Sequence, residues 1–209
     1  MLRDFLDEVI LVADNGLRVL SGNHERQIDT NKFPQATKLT EKNRRTAAKL
    51  MRINHCGEIC AQALYEGQAL TARSDAVRKQ LKAAATEERQ HLAICETRLK
   101  ELDARPSLLE PLFYAASVTM GALVGGLGDR TSLGFVEATE DEVCNHLERH
   151  IHELDPSDTR TLAMLESIRD DEAQHQATAV DRGGRIFASP IKSIMALAAK
   201  VMTRSTAQI

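Results

Sequence analysis

The chain has 209 residues, of which 43% are hydrophobic and 27% charged, so it has the composition of a globular domain rather than a disordered segment. The net charge of −3 and the lack of a basic stripe argue against a nucleic-acid-binding protein. The four cysteines form no C-x-x-C pair, which favours free thiols in a reducing compartment. Because Asp4, Asp7 and Glu8 interrupt the first apolar run, we expect no secretory signal and a cytoplasmic location.

Helical periodicity dominates the chain, and no strand-like alternation of useful length competes with it. Residues 1–39 are predicted to form an N-terminal helix, over about 1–20, followed by an irregular linker. The segment 40–188 is predicted to be a four-helix bundle, three of whose helices end at prolines or glycines. Its helices, labelled A to D, are expected at about 40–72, 75–103, 131–154 and 158–183. The predicted fold class is therefore all-α, with extra amphipathic or apolar helices.

Two segments outside helices A to D are unusually apolar. The stretch 111–128 contains no charged residue, but its 18 residues are at the lower limit for a transmembrane helix. Its glycines weaken that interpretation and favour a helix or hairpin lying in one membrane leaflet. The segment 189–209 is predicted to be an amphipathic helix that either packs onto the bundle or lies on a membrane. Together the two segments suggest a substrate that resides in the membrane.

The most informative feature is a motif that occurs twice. Helix B carries Glu88 and His91 three positions apart, and helix D carries Glu172 and His175 in the same spacing. Each motif follows a lone glutamate in the preceding helix. The gap is 30 residues from Glu58 to Glu88 and 32 residues from Glu140 to Glu172. Two helix pairs therefore repeat one arrangement.

All four glutamates fall on the stripe of their helix that should face the core. Burying an unpaired carboxylate costs several kcal/mol, whereas a domain is stable by only about 5–15 kcal/mol. Two metal ions would supply the missing positive charge, and oxygen and nitrogen ligands suit iron or manganese better than zinc or copper. The alternative is that the motifs form ordinary buried ion pairs or face water, but two copies in register favour metal. The predicted ligands are Glu58, Glu88, His91, Glu140, Glu172 and His175.

The geometry of paired helices predicts which ligands bridge the two metals and which bind only one of them. Glu88 and Glu172 are expected to bridge the two metals. The terminal ligands are expected to be Glu58 and His91 on one ion, with Glu140 and His175 on the other. Two further glutamates of helix C compete with Glu140 but fall off its core stripe; these are Glu137 and Glu142.

Other polar residues near the motifs have two possible roles. Glu87 and Asp171 each precede a motif glutamate and could accept a hydrogen bond from a ligating histidine, although a solvated helix face is an equal alternative. His146 and His150 follow Glu140 on helix C and are weaker candidates for the site. Tyr65 could approach the metals or simply belong to the core.

The stretch 51–59, Met-Arg-Ile-Asn-His-Cys-Gly-Glu-Ile, resembles the R-x-N-H-x-G-E segment of the demethoxyubiquinone hydroxylases of ubiquinone biosynthesis. The E-E-x-x-H and D-E-x-x-H motifs resemble theirs, as does Gly134-Phe135-Val136 followed by Thr139-Glu140. The resemblance covers about residues 40–190. Cys56 and Cys60 stand where the family pattern leads us to expect small residues.

This resemblance implies a ferritin-like, membrane-associated di-iron monooxygenase whose family ligands fall on the same six residues. It would use O2 to hydroxylate the ring of a polyprenylated methoxy-methyl benzoquinol, with electrons from the quinol itself or from a reduced nicotinamide. We expect a peripheral protein on the cytoplasmic side of the membrane, with a second copy or a biosynthetic partner protein possible. The alternatives are a ferritin-like or rubrerythrin-like iron oxidase or peroxidase, and a non-enzymatic lipid-binding scaffold.

Overall fold

The computed structural model describes residues 2–22 and 28–208, with side chains from residue 6 onward. Within these ranges the chain forms seven α-helices and one short 3-10 turn, so the all-α prediction is confirmed. Part of the predicted linker, residues 23–27, lies outside the described residues. The helices are α1 (Leu2–Leu20), α2 (Glu41–Thr71), α3 (Asp75–Glu101), α4 (Glu110–Gly126), α5 (Asp129–Glu153), α6 (Thr159–Asp181) and α7 (Ser189–Thr206), and the 3-10 turn is Thr30–Lys32.

Helices α2, α3, α5 and α6 correspond to predicted helices A to D, and side-chain caps fix where three of them begin. The side chains of Thr40, Ser74 and Asp158 accept hydrogen bonds from backbone amides in the first turns of α2, α3 and α6. Such caps satisfy amides that the helix itself leaves unpaired. Asp158, the N-cap of α6, lies at the predicted start of helix D.

Two of the three apolar clusters among the described residues join the four central helices, and they lie at different heights. One contains Leu50, Leu99, Leu147 and Leu165 among its buried residues. The other contains Tyr65, Leu81, Val136 and Ala179. In each of the four helices, the residues of the predicted metal site lie between these two sets in sequence. The site is therefore held at mid-height, with packed side chains above and below it.

A buried ionic network fixes the two motif helices relative to each other. Arg98 of α3 is only 1% exposed, and its guanidinium donates to the Thr161 hydroxyl at 2.7 Å and to the Asp158 carboxylate at 2.8 Å. Glu101 accepts from Arg98 and from Arg160 of α6. Because a buried charge is tolerated only when paired, these contacts hold α3 and α6 in one register.

The uncharged segment forms α4, which packs along α2 at very short range. A Cβ added to Gly121 would lie 2.2 Å from the backbone oxygen of Leu64, and one added to Gly67 would lie 2.2 Å from that of Val118. Of the glycines that weakened a membrane-spanning interpretation, Gly121 and Gly125 allow this close packing against α2. Among the described residues, no helix has both the length and the apolar character needed to cross a membrane.

Helix α7 packs onto the bundle, as one of the two alternatives for the C-terminal segment predicts. Thr206 is fully buried and donates to the Cys56 sulfur at 3.5 Å, and Lys192 lies 2.9 Å from Glu137 of α5. These contacts attach α7 to the bundle. The opposite face remains exposed, with Ile194 and Leu197 more than 60% accessible.

The packing of α4 on α2 predicts opposite effects for two glycines of α4. Gly121→Ala should lower the free energy of unfolding by about 1–3 kcal/mol, because the new methyl group collides with backbone that cannot move away easily. Gly126→Ala is the matched control, since nothing lies within 4 Å of its Cβ position. That change should be neutral or stabilise the protein by up to about 1 kcal/mol, because alanine favours helix. Urea unfolding followed by circular dichroism measures both, and equal effects of the two substitutions would contradict the packing account.

Candidate metal centre

The six predicted ligands lie together in the middle of the bundle. Their donor atoms form two groups, and within each group all the atoms lie within 4.8 Å of one another. Glu172 belongs to both groups. Because one residue is shared, the two groups form a single cluster rather than two separate sites. The first group is Glu58, Glu88, His91 and Glu172, and the second is Glu140, Glu172 and His175.

Both imidazoles turn the same nitrogen toward the carboxylates. His91 Nδ1 lies 2.9 Å from Glu172 Oε1 and 3.3 Å from Glu88 Oε2. His175 Nδ1 lies 3.1 Å from Glu172 Oε2 and 3.4 Å from Glu88 Oε1. Glu88 and Glu172 therefore each face both histidines, as a pair of bridging carboxylates would.

The donor set fits a metal pair. All four glutamates are at most 3% exposed, and Glu88 and Glu140 are fully buried. Glu140 Oε2 is buried without a hydrogen-bond donor, and the buried Oε1 atoms of Glu88 and Glu172 lie near histidine Nδ1 atoms without regular hydrogen-bond geometry. Such atoms are rare in folded proteins because their desolvation is not repaid. A cation bound between the carboxylates would satisfy them.

Burial and the neighbouring charges shift the pKa values of the carboxylates and histidines in this cluster. Burial raises the pKa of Glu58 and of Glu140 well above the usual range, and the charge on Glu172 adds to both shifts. Burial also opposes ionisation of Glu172, but its contacts with His175 and His91 lower its pKa to about 2. Burial lowers the pKa of His175, yet its contacts with Glu172 and Glu88 outweigh this and raise it to about 12. Metal binding at this cluster would therefore displace protons.

The outer nitrogen of each histidine contacts an acidic residue of the other motif. His91 Nε2 lies 3.2 Å from Asp171 on α6, and His175 Nε2 lies 2.7 Å from Glu87 on α3. Of the two roles left open for Glu87 and Asp171, the structure supports contact with the histidines. A carboxylate in this position holds Nδ1 free for a metal and increases its basicity.

Tyr65 and the two competing glutamates have distinct surroundings. The buried Tyr65 hydroxyl donates to Glu140, so this tyrosine belongs to the site as well as to the core. Glu137 pairs with Lys192, and Glu142 pairs with Arg149 at 3.0 Å. Neither Glu137 nor Glu142 belongs to the two groups of potential metal ligands among the described residues.

Two openings reach the cluster from different sides. A groove of about 710 Å³ runs between α3 and α6 and is lined by polar residues that include Glu87, Asp171 and both histidines of the motifs. A second cavity, of about 650 Å³, lies between α2, α5 and α7 and reaches Glu58 and Glu172. The apolar side chains along the second cavity include Leu50, Ile53, Val143, Leu147 and Met202.

The sequence did not reveal the cavity beneath α7, and it did not single out Asn54. Asn54 lies on the core stripe of α2 one turn before Glu58, and it is only 3% exposed. The position of this polar residue on a core stripe was the sequence signal that could have identified Asn54 as a candidate site residue. His146 and His150, weak candidates from sequence, line the same cavity.

Fold and site together define a helical-bundle protein with a buried carboxylate–histidine cluster able to hold metal. Residues 45–206 match the family model of the ubiquinone biosynthesis protein COQ7, and the chain belongs to this family. A 3-demethoxyubiquinol 3-hydroxylase of Azotobacter vinelandii is 51% identical over 97% of this chain and 95% of its own length. Enzymes of the same name from Pseudomonas paraeruginosa and Stutzerimonas stutzeri are each 48% identical, over 98% and 97% of this chain and 96% and 95% of their own lengths.

The crossed contacts of the two histidines predict that their acidic partners tune metal affinity. Asp171→Asn and Glu87→Gln should each weaken Fe(II) or Mn(II) binding about 10–100-fold, because the histidines lose a charged partner while every ligand remains. Glu166→Gln removes one negative charge from an exposed position of α6 and serves as the control. Anaerobic metal titration gives the affinities. Unchanged affinity in both partner variants would contradict this role.

Proposed function

We propose that this chain is a 3-demethoxyubiquinol 3-hydroxylase that uses two iron ions and O2 to add a hydroxyl group to the ring of a polyprenylated benzoquinol. The observation that carries the proposal is a buried Glu/His cluster that a cavity reaches, in a chain that belongs to the COQ7 family. The names of the relatives supply the substrate class.

The six clustered residues would hold the iron pair. Glu88 and Glu172 would bridge the ions, with Glu58 and His91 on one and Glu140 and His175 on the other, in keeping with the contacts of the two central carboxylates. Bound iron supplies the activation of O2, which carboxylates and imidazoles alone cannot perform. An all-oxygen-and-nitrogen donor set with carboxylate bridges suits iron.

The protein would position the substrate ring and exclude water from the cavity. Helix α7 covers the cavity, and Thr206 and Lys192 anchor it near its two ends. Apolar walls from α2 and α5 would seat the ring beside Glu58 and Glu172 while keeping bulk water away. Tyr65 restrains Glu140 through its hydroxyl group, so this ligand is held on the far side of the cluster.

We also propose that the protein binds the membrane surface peripherally, because its substrate class resides there. Helices α1, α4 and α7 expose an unusual number of large apolar side chains, and α1 touches α4 where the Tyr114 hydroxyl donates to the backbone oxygen of Val12. Isolated exposed apolar residues are common, but rows along helices mark interaction surfaces. Exposed members include Leu6, Ile10, Leu17, Leu112, Leu123, Leu127, Ile191, Ile194, Leu197 and Val201.

Isotope labelling tests the proposed reaction directly. The iron-loaded protein, given a short-chain demethoxyubiquinol and ¹⁸O2, should release a product that carries one ¹⁸O on the ring. Glu88→Ala should abolish this turnover because it removes a central carboxylate. Glu148→Ala, at an exposed position of α5, should turn over as the wild type does. Peroxide consumption or Fe(II) oxidation without ring oxygen would instead favour the iron oxidase or peroxidase alternative.

Vesicle binding tests the proposed membrane contact. Leu123→Asp and Ile194→Asp place a charge on exposed apolar positions of α4 and α7, where burial in lipid would be costly. Each should reduce co-sedimentation with phosphatidylcholine–phosphatidylglycerol vesicles several-fold without changing thermal stability. Asn145→Asp adds the same charge at an exposed position of α5 and should bind as the wild type does. Equal binding by all four proteins would contradict the proposed surface.

A further inference from the structure

The cavity beneath α7 is lined by both apolar and polar side chains, and three of the polar ones form a cluster. Asn54 of α2 is 3% exposed, and His150 of α5 is 6% exposed. The rings of His146 and His150 lie 3.9 Å apart between centroids. All three residues line the cavity that reaches Glu58 and Glu172. Since the predicted metal ligands do not include them, their burial calls for another explanation.

The hydrogen bonds of this cluster are incomplete. His150 Nδ1 lies 2.9 Å from Asn54 Oδ1, so the imidazole donates through Nδ1 and keeps a lone pair on Nε2. The amide nitrogen of Asn54 is buried without an acceptor, and His146 Nε2 is buried without a partner. Buried polar atoms of this kind usually meet a ligand or water. The side chains that line the cavity therefore include the two unpaired N–H groups of Asn54, the lone pair on His150 Nε2 and the unpartnered Nε2 of His146.

Both imidazoles are neutral near pH 7. Burial lowers the pKa of His146 to about 4, helped by the nearby charge of Arg149. Burial also lowers the pKa of His150 to about 3, with contributions from His146, Arg149 and Lys49. A neutral imidazole can accept a hydrogen bond, which a protonated one cannot do.

The cluster of Asn54, His146 and His150 lies close to the predicted metal ligands. Asn54 precedes Glu58 by one helical turn on α2, and His146 follows Glu140 by six residues on α5. A ring held among these residues would lie in the cavity next to the ligand set. The cationic side chains Lys49, Lys200 and Arg204 lie farther along the cavity lining.

We propose that Asn54, His146 and His150 bind the oxygen substituents of the substrate ring, with Asn54 donating to a ring oxygen and the imidazoles accepting from quinol hydroxyl groups. This assignment rests on the proposed function and deepens it. It follows that the cavity selects the reduced ring. A quinol hydroxyl satisfies the imidazole acceptors, whereas a quinone carbonyl has no hydrogen to donate and leaves them unpaired.

Binding measurements on the full chain test this assignment. With Mn(II) in place of iron and under nitrogen, neither ring form reacts, so calorimetry can compare a short-chain demethoxyubiquinol with its quinone. The wild type should bind the quinol about ten-fold or more tightly than the quinone. His146→Phe should reduce that preference several-fold, and His146→Gln, which keeps an acceptor, should restore part of it. Asn54→Leu should weaken both ring forms alike.

Kinetics of the iron-loaded proteins give a second readout. His146→Phe should raise KM for the quinol about ten-fold while the metal content stays at the wild-type level. His152→Phe makes the same change at an exposed position of α5 and should match the wild type in both assays. Circular dichroism checks that each variant is folded. If Asn54→Leu does not fold, the comparison of His146→Phe with His146→Gln still tests the assignment.

Failure of this assignment differs from failure of the proposed function. If the wild type hydroxylates the quinol and His146→Phe keeps the full quinol preference and KM, the assignment is wrong and the function stands. If the wild type neither binds nor hydroxylates the quinol, the proposed function fails and the assignment fails with it.

Discussion

The structure depends on one electrostatic constraint, which is the burial of four glutamates in a single helical core. Glu88 and Glu140 have no exposed surface, and Glu140 Oε2 has no hydrogen-bond donor. Protein stability is too small to tolerate several unpaired carboxylates in a core, so the folded chain must neutralise them with protons or with cations. The two motif histidines approach the same carboxylates through Nδ1, which completes a set of ligands that two cations can share.

The rest of the bundle can be understood as support for this cluster. Apolar packing lies on either side of it along the four central helices, and the Arg98–Asp158 pair fixes the register of α3 and α6. The acidic partners on the outer histidine nitrogens orient the rings. Helix α7 then covers a cavity of mixed apolar and polar lining, on the opposite side from the groove between α3 and α6. The cluster can thus be approached from two sides, and both openings are lined by apolar and polar side chains.

Much of this architecture was predictable from sequence because it depends on local periodicity. The four central helices and the convergence of Glu58, Glu140 and the two motifs follow from which positions share a helical face. What could not be predicted depends on contacts between distant segments. The glycines of α4 suggested a weak membrane segment, whereas Gly121 allows backbone contact with α2. The cavity joins residues of α2, α5 and α7, and no spacing within one helix reveals it.

The central claim is that the buried carboxylates exist to bind two metal ions. Native mass spectrometry of the protein reconstituted with Fe(II) under nitrogen tests it most directly, with unfolding followed in parallel. We predict two ions per chain, a higher melting temperature with metal than without, and loss of both effects in Glu88→Ala and Glu172→Ala. A wild-type chain that binds no iron, or variants that keep the full metal content, would contradict the account.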